Sequence, residues 1–234
     1  MNAAAALTRR CVVMALLACA FAGTASAQVA PSATEIAAYT GLFAAAARGD
    51  AAEISRLAAS GADVNAREAY GRTPLHVATF GRHRDAIGAL AKARADLNAK
   101  ERDRYDAVTI AAVADDVATL KLLLQLGASA KQVTSRYDGT ALIAAAHLGH
   151  DEVVRLLIDA GAPLDHVNNL GWTALIESIV LGQGGPRHVA TLTALVRAGA
   201  NVNLADRNGQ TPLQLARQRR YQAMIAILEP AGAK

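Results

Sequence analysis

Residues Asp138–Asp165 read DGTALIAAAHLGHDEVVRLLIDAGAPLD, and the way this stretch folds decides the rest of the chain. Asp138-Gly139 is a tight-turn dipeptide. Thr140 follows in an N-cap position ahead of an Ala-rich run. After a second turn at His150, Val153, Val154 and Leu157 recur at helical spacing and mark one apolar face. Gly161 falls just past that second helix, where a left-handed residue is needed to leave it. The unit is therefore turn, short helix, turn, helix, and alone it cannot bury its own apolar face.

The unit recurs. GRTPLHVATFGRH spans Gly71–His83, with Thr73 suited to the N-cap and Pro74 to the first helical position, where a missing N–H costs nothing. Aligned on this Leu, the chain shows Leu42, Leu75, Val108, Leu142, Leu175 and Leu213, at spacings of 33, 33, 34, 33 and 38. A second ladder keeps step: Gly61, Arg94, Gly127, Gly161, Gly199 and Gly232. One period held by two ladders signals a repeat array, in which stacked units share one continuous core.

GRTPLHVA, the 138–165 stretch and NGQTPLQLA resemble ankyrin repeats almost word for word. GADVNA at Gly61–Ala66, ADLNA at Ala95–Ala99 and GANVNLAD at Gly199–Asp206 resemble the family's linking segments. The resemblance covers about Ile36 to Ala233. It implies an all-α fold, an ankyrin-repeat solenoid of stacked helix-turn-helix units with short β-hairpin-like fingers. Six repeats are expected, at about 36–66, 67–99, 100–132, 133–166, 167–204 and 205–234, after a linker at 28–35.

Departures from the pattern mark special units. The first lacks Thr-Pro and reads as an N-terminal cap; the last carries Gln214, Gln218, Arg219 and Arg220, as a solvent-facing end should. Arg82 and Arg94 stand where the pattern has glycine, and a left-handed arginine costs on the order of 1 kcal/mol. Asp106 replaces the capping Thr in the third unit. The 38-residue unit carries five extra residues, Gln183–Arg187, expected as a loop between its helices.

The N-terminus reads as an export signal. Arg9 and Arg10 precede the apolar CVVMALLACAFAG (Cys11–Gly23), too short to span a bilayer, and Ala25-Ser26-Ala27 offers a cleavage site. The alternatives are an uncleaved anchor and lipidation at Cys19 in a loose lipobox; the adjacent arginines also touch on a twin-arginine signal. Cleavage after Ala27 leaves 207 of 234 residues, enough for a large core, and removes both cysteines, Cys11 and Cys19. Net charge falls from +4 to +2 with the two arginines, too little to argue for nucleic acid or an anionic membrane. No later stretch is apolar enough for a stable membrane span. A periplasmic monomer is expected.

No catalytic or metal constellation stands out, and no cofactor is implied. His76 belongs to the TPLH turn network; His83, His150 and His188 occupy the turn before the second helix. His147 and His166 lack the three or four convergent ligands that a metal needs. Gly182–Arg187 superficially matches a phosphate-binding loop without the preceding strand or the Lys-Ser/Thr. Asp115-Asp116 and Asp151-Glu152 fall where acids favour a helix N-terminus.

The resemblance implies recognition of another protein through finger tips and the exposed side of the first helices, on one concave surface. On that register the candidates for partner binding are Tyr70, Arg72, Phe80, Arg102, Tyr105, Arg136, Tyr137, Leu170 and Trp172, with His147, Leu148, Val180 and Leu181 on the first helices. Six of the eight aromatics in the exported chain (Tyr39, Phe43, Tyr70, Phe80, Tyr105, Tyr137, Trp172, Tyr221) map there, and Tyr, Trp and Arg dominate binding energy at interfaces. The alternative is that these side chains pack finger against finger and stiffen the array. The expected function is a non-enzymatic protein-binding module; the competing one is a small-molecule or effector site in the same groove, with 183–187 as its lid.

Overall fold

The computed structural model describes residues 28–234. The expected export signal, its cleavage site after Ala27 and Cys19 lie outside the described residues. A short helix, α1 (Ala33–Ala38), comes first, and six helix pairs follow: α2 (Gly41–Arg48) with α3 (Ala51–Ala59), α4 (Pro74–Phe80) with α5 (Arg84–Lys92), and α6 (Ala107–Val113) with α7 (Val117–Gln125). Then come α8 (Ala141–Leu148) with α9 (Asp151–Asp159), α10 (Ala174–Val180) with α11 (Pro186–Arg197), and α12 (Pro212–Gln218) with α13 (Gln222–Leu228). The first helix of each pair packs on the first helices of its neighbours, and the second on the seconds. This is the ankyrin-repeat solenoid. The strands are β1 (Val133–Thr134) and β2 (Gly139–Thr140), an antiparallel two-residue ladder in the fourth finger.

The ladders read from the sequence have direct physical roles. Leu42, Leu75, Val108, Leu142, Leu175 and Leu213 are all buried in one cluster that runs through every unit. Gly61, Gly127, Gly161, Gly199 and Gly232 all have positive φ, as does Arg94 at 66°. Arg82 is left-handed too, at 56°. Helix starts are capped as expected where Asp106 Oδ1 accepts the Thr109 N–H at 2.8 Å.

His76 explains the TPLH signature. Its Nδ1 accepts the Thr73 N–H at 3.0 Å and lies 2.9 Å from Thr73 Oγ1, so the proton sits on Nε2, which donates to the Tyr105 carbonyl at 3.2 Å. One neutral imidazole thus ties a helix start to the next finger. Burial holds its pKa down, to about 4, so the tautomer persists at physiological pH. Thr211 and Gln214 form the same reciprocal cap in the last unit, with glutamine replacing histidine.

Several expectations are corrected. Residues 28–35 are not all linker: α1 begins at Ala33, capped by Ser32 in a reciprocal pair with Glu35. The 183–187 insertion is not all loop, because Pro186 and Arg187 open α11, which runs 12 residues. His188 therefore lies inside α11 rather than before it. Its Nε2 still meets the His147 carbonyl at 3.0 Å, as His83 meets Ala47 and His150 meets Ala112.

Candidate functional site

The fingers are built from one repeated device. Glu68, Glu101, Ser135, Asn168 and Asp206 each turn a side-chain oxygen back onto the N–H groups two and four residues ahead, at 2.8–3.4 Å. Such side-chain turns hold hairpins with at most a two-residue ladder. Backbone bonds then join finger to finger: Arg102 N–H to the Tyr70 carbonyl (3.0 Å), Ser135 to Arg104 (3.3 Å), and Asn169 to Tyr137 (2.9 Å). Below them, Asn65 and Asn98 each accept an N–H from the following repeat at 2.8 Å, which accounts for the asparagine of the linking segments. The second to fifth fingers therefore form a continuous, preorganised edge.

On this edge the candidate residues divide. Tyr70, Tyr137 and Leu170 occupy equivalent tips and are exposed at 44%, 39% and 41%. Phe80, Tyr105 and Trp172 are half-buried, and Trp172 packs against the core. Arg102 is exposed, but its guanidinium lies 5.5 Å from the Tyr70 ring centroid and donates to the Ala69 carbonyl. Arg136 bridges to Asp103 of the preceding finger at 2.8 Å. These two arginines stiffen the edge through contacts between fingers.

Arg72 must be removed from the surface set. It is buried at 1% exposure, pairs with Glu68 at 3.0 Å and with Glu35, and donates to the Val29 carbonyl at 3.2 Å. The position before the capping Thr points inward here, so its charge fastens the N-terminal segment to the second finger. The mapping of six aromatics to the groove also contracts. Tyr39, Phe43, Trp172 and Tyr221 pack against the core, and only Tyr70 and Tyr137 are exposed among the described aromatics.

The first helices supply the other wall. His147 and Leu148 end α8, and Val180 and Leu181 follow the same register at α10; Leu148 and Leu181 are exposed. One residue of this wall was missed in the sequence. Glu177 stands where other units have Val77, Ile110 and Leu215, and it is buried at 4% exposure. Its Oε1 accepts from Asn168 Nδ2 at 2.9 Å, and its Oε2 lies 3.2 Å from His147 Nδ1. Asn168 Oδ1 is already engaged by the Leu170 and Trp172 N–H groups, which fixes its amide and aims the NH₂ at the carboxylate. An acid on an otherwise apolar register was the signal available.

The insertion is not a lid over this groove. Tyr221 Oη donates to the Gly182 carbonyl at 3.0 Å, and Arg187 reaches along the turns to Asp115 (2.8 Å) and Asp151 (3.2 Å). These contacts lie at the helix-to-helix turns, the ends of the pairs opposite the fingers. Two shallow depressions exist elsewhere, one along the second helices at Ser55, Arg84 and Lys92, the other at the turns by Arg48, Arg82 and His83. Among the described residues no three His, Cys, Asp or Glu side chains converge as a metal site, and no helix is long and apolar enough to cross a membrane.

Comparison with known proteins agrees with this architecture. A family model described as ankyrin repeats (3 copies) matches residues 1–101 and 108–204. The ankyrin repeat protein YahD of Escherichia coli (strain K12) is 33% identical over 190 residues, covering 81% of this chain and 94% of that protein. The crystal structure of an ankyrin repeat domain from Acinetobacter baumannii superposes with a TM-score of 0.78 at 44% identity, over 82% of this chain and 98% of that one. The ankyrin repeat domain of Bcl-3 gives a TM-score of 0.74 at 27% identity, over 84% and 87%. The chain belongs to the ankyrin repeat family, whose domains are general protein–protein interaction modules and typically non-enzymatic.

Proposed function

We propose that this ankyrin-repeat chain is an exported, non-enzymatic adaptor that holds a protein partner on the concave surface between its fingers and first helices. The observation that carries the reading is where the exposed apolar side chains fall. Of nine large hydrophobics exposed among the described residues, five lie on this surface: Tyr70, Tyr137 and Leu170 at the tips, Leu148 and Leu181 on the first helices. Exposed apolar side chains gathered on one face mark interaction sites. The hydrogen-bonded edge supports the same reading, because a preorganised surface loses less freedom on association.

The partner would be met in the periplasm, the compartment that Arg9, Arg10, the apolar run and Ala25–Ala27 point to. The test is affinity capture from a periplasmic extract with the natural protein and a Tyr137→Ala/Leu170→Ala variant matched for melting temperature. A protein retained by the first and lost by the second supports the concave surface; equal capture by both refutes it. Intact mass of the protein recovered from that fraction checks export. A start at Gln28 supports cleavage after Ala27, and an acylated start at Cys19 would replace it with a lipid anchor.

A further inference from the structure

We propose that Glu177 is a specificity anchor in this groove, receiving a lysine or arginine side chain from an otherwise apolar segment of the partner. The inference rests on the concave-surface reading and deepens it. Glu177 lies on α10 at helical spacing from Val180 and Leu181, so the three share the groove face. Its carboxylate is buried beneath that face, and its neighbour toward solvent is His147, whose side chain is 36% exposed.

Burying a carboxylate is costly unless a cation accompanies it. Glu177 has two polar contacts, the Asn168 amide and the His147 ring, and His147 is charged only when protonated. Among the described residues no lysine or arginine pairs with it, although the chain pairs half-buried Glu68 with buried Arg72 in the second finger. The array does not need an acid at this position, since Val77, Ile110 and Leu215 fill it in other units. An acid that the stack can do without, held by a fixed amide and sharing the proposed surface with exposed Tyr137, Leu148, Leu170 and Leu181, is suited to a cation arriving with apolar neighbours. Water is excluded from such a contact once the rim is covered, and the charge-assisted bond strengthens accordingly.

The experiment is selection from a random peptide library displayed on phage, with the purified protein as target. Clones that lose binding on Tyr137→Ala/Leu170→Ala define the groove set. That set should be enriched in Lys or Arg flanked by apolar residues. A synthetic peptide of that set should bind Glu177→Gln about tenfold more weakly, and its Lys/Arg→Gln version should bind both proteins alike, closing a double-mutant cycle. Glu177→Gln keeps the acceptor for Asn168; Glu177→Leu, matching Leu215, serves as a second variant, compared at matched melting temperature because the Asn168 amide loses its acceptor there. Groove peptides without cation enrichment, or indifferent to both Glu177 variants, overturn the anchor and leave the concave surface standing. If no peptide depends on Tyr137 and Leu170, both readings fall.

Discussion

Arg72→Ala should destabilise the protein far more than any substitution at the exposed arginines, although the sequence places Arg72 among the binding residues. The side chain is 2% exposed and faces Glu68, itself 13% exposed, through contacts at 3.0 and 3.2 Å, with Glu35 and the Val29 carbonyl beyond. Removing one partner of a buried pair costs about 3–5 kcal/mol, since the remaining charge stays desolvated. Glu68 would keep two backbone donors, from residues 70 and 72, so the lower end applies. At roughly 2–4 °C per kcal/mol for a chain of this size, about 3 kcal/mol lowers the melting temperature by about 6–12 °C. Hydrogen exchange should show the loss concentrated at residues 28–80, because each repeat is stabilised by its neighbours. Burial alone would raise the Glu68 pKa, but the Arg72 hydrogen bonds outweigh it and hold the carboxyl below its ordinary value. A depressed pKa contributes stability above the unfolded value and loses it as pH falls through the folded one, so the gap between natural and variant proteins should narrow in acid. A variant melting within 2 °C of the natural protein at neutral pH, with unchanged exchange at 28–80, would refute this account.

Other perturbations test separate parts of the fold. Asp106→Thr should stabilise by about 1 kcal/mol at pH 7: it supplies the capping residue used at Thr140, Thr173 and Thr211 and removes a buried Oδ2 that has no partner. Burial raises the Asp106 pKa, so its penalty is full above the folded value and is lost as pH falls below the unfolded carboxylate value; urea melts should find the gain shrinking as pH falls into that range, and an equal gain at neutral and acid pH would count against it. Arg94→Gly, at φ 66° and exposed, should raise stability by about 0.5–1 kcal/mol by relieving a left-handed arginine; a lowered melting temperature would contradict that. Gly182→Ala should cost about 2 kcal/mol or more, because the new Cβ would stand 2.0 Å from the Ser178 carbonyl oxygen. A fully stable Gly182→Ala protein would show that the 182–185 turn is freer than its Tyr221 contact implies.

What could be read in advance followed from periodicity. A leucine every 33 residues, with a glycine in step, requires a repeated backbone and a shared core, and that requirement is local to each unit. The caps at Thr140 and Asp106 and the left-handed Arg82 and Arg94 were legible for the same reason, since each depends on residues within one turn of the chain. The 38-residue spacing revealed an insertion, but whether Pro186 and Arg187 joined a helix depended on what they would meet. Pro at a first helical position and Arg187 facing Asp115 and Asp151 across two repeats settled it.

The candidate surface was legible only as a row of positions. Equivalent register put Tyr70, Tyr137 and Leu170 at the tips, yet the same logic assigned Arg72 and Trp172 outward, and both turned in. Direction at those positions is decided by neighbours distant in sequence: Glu35 lies 37 residues before Arg72, and Arg136 finds its partner Asp103 in the preceding finger. Glu177 was hidden for a related reason, since its importance lies in what surrounds it, an amide nine residues back and a histidine in the previous unit. Sequence alone determined that this chain is a stack of six like units, because hydrogen bonding and apolar spacing within a unit depend on near neighbours. Only the tertiary structure decided which charges are buried and which side chains remain free to meet a partner, because burial and pairing are properties of contacts between units.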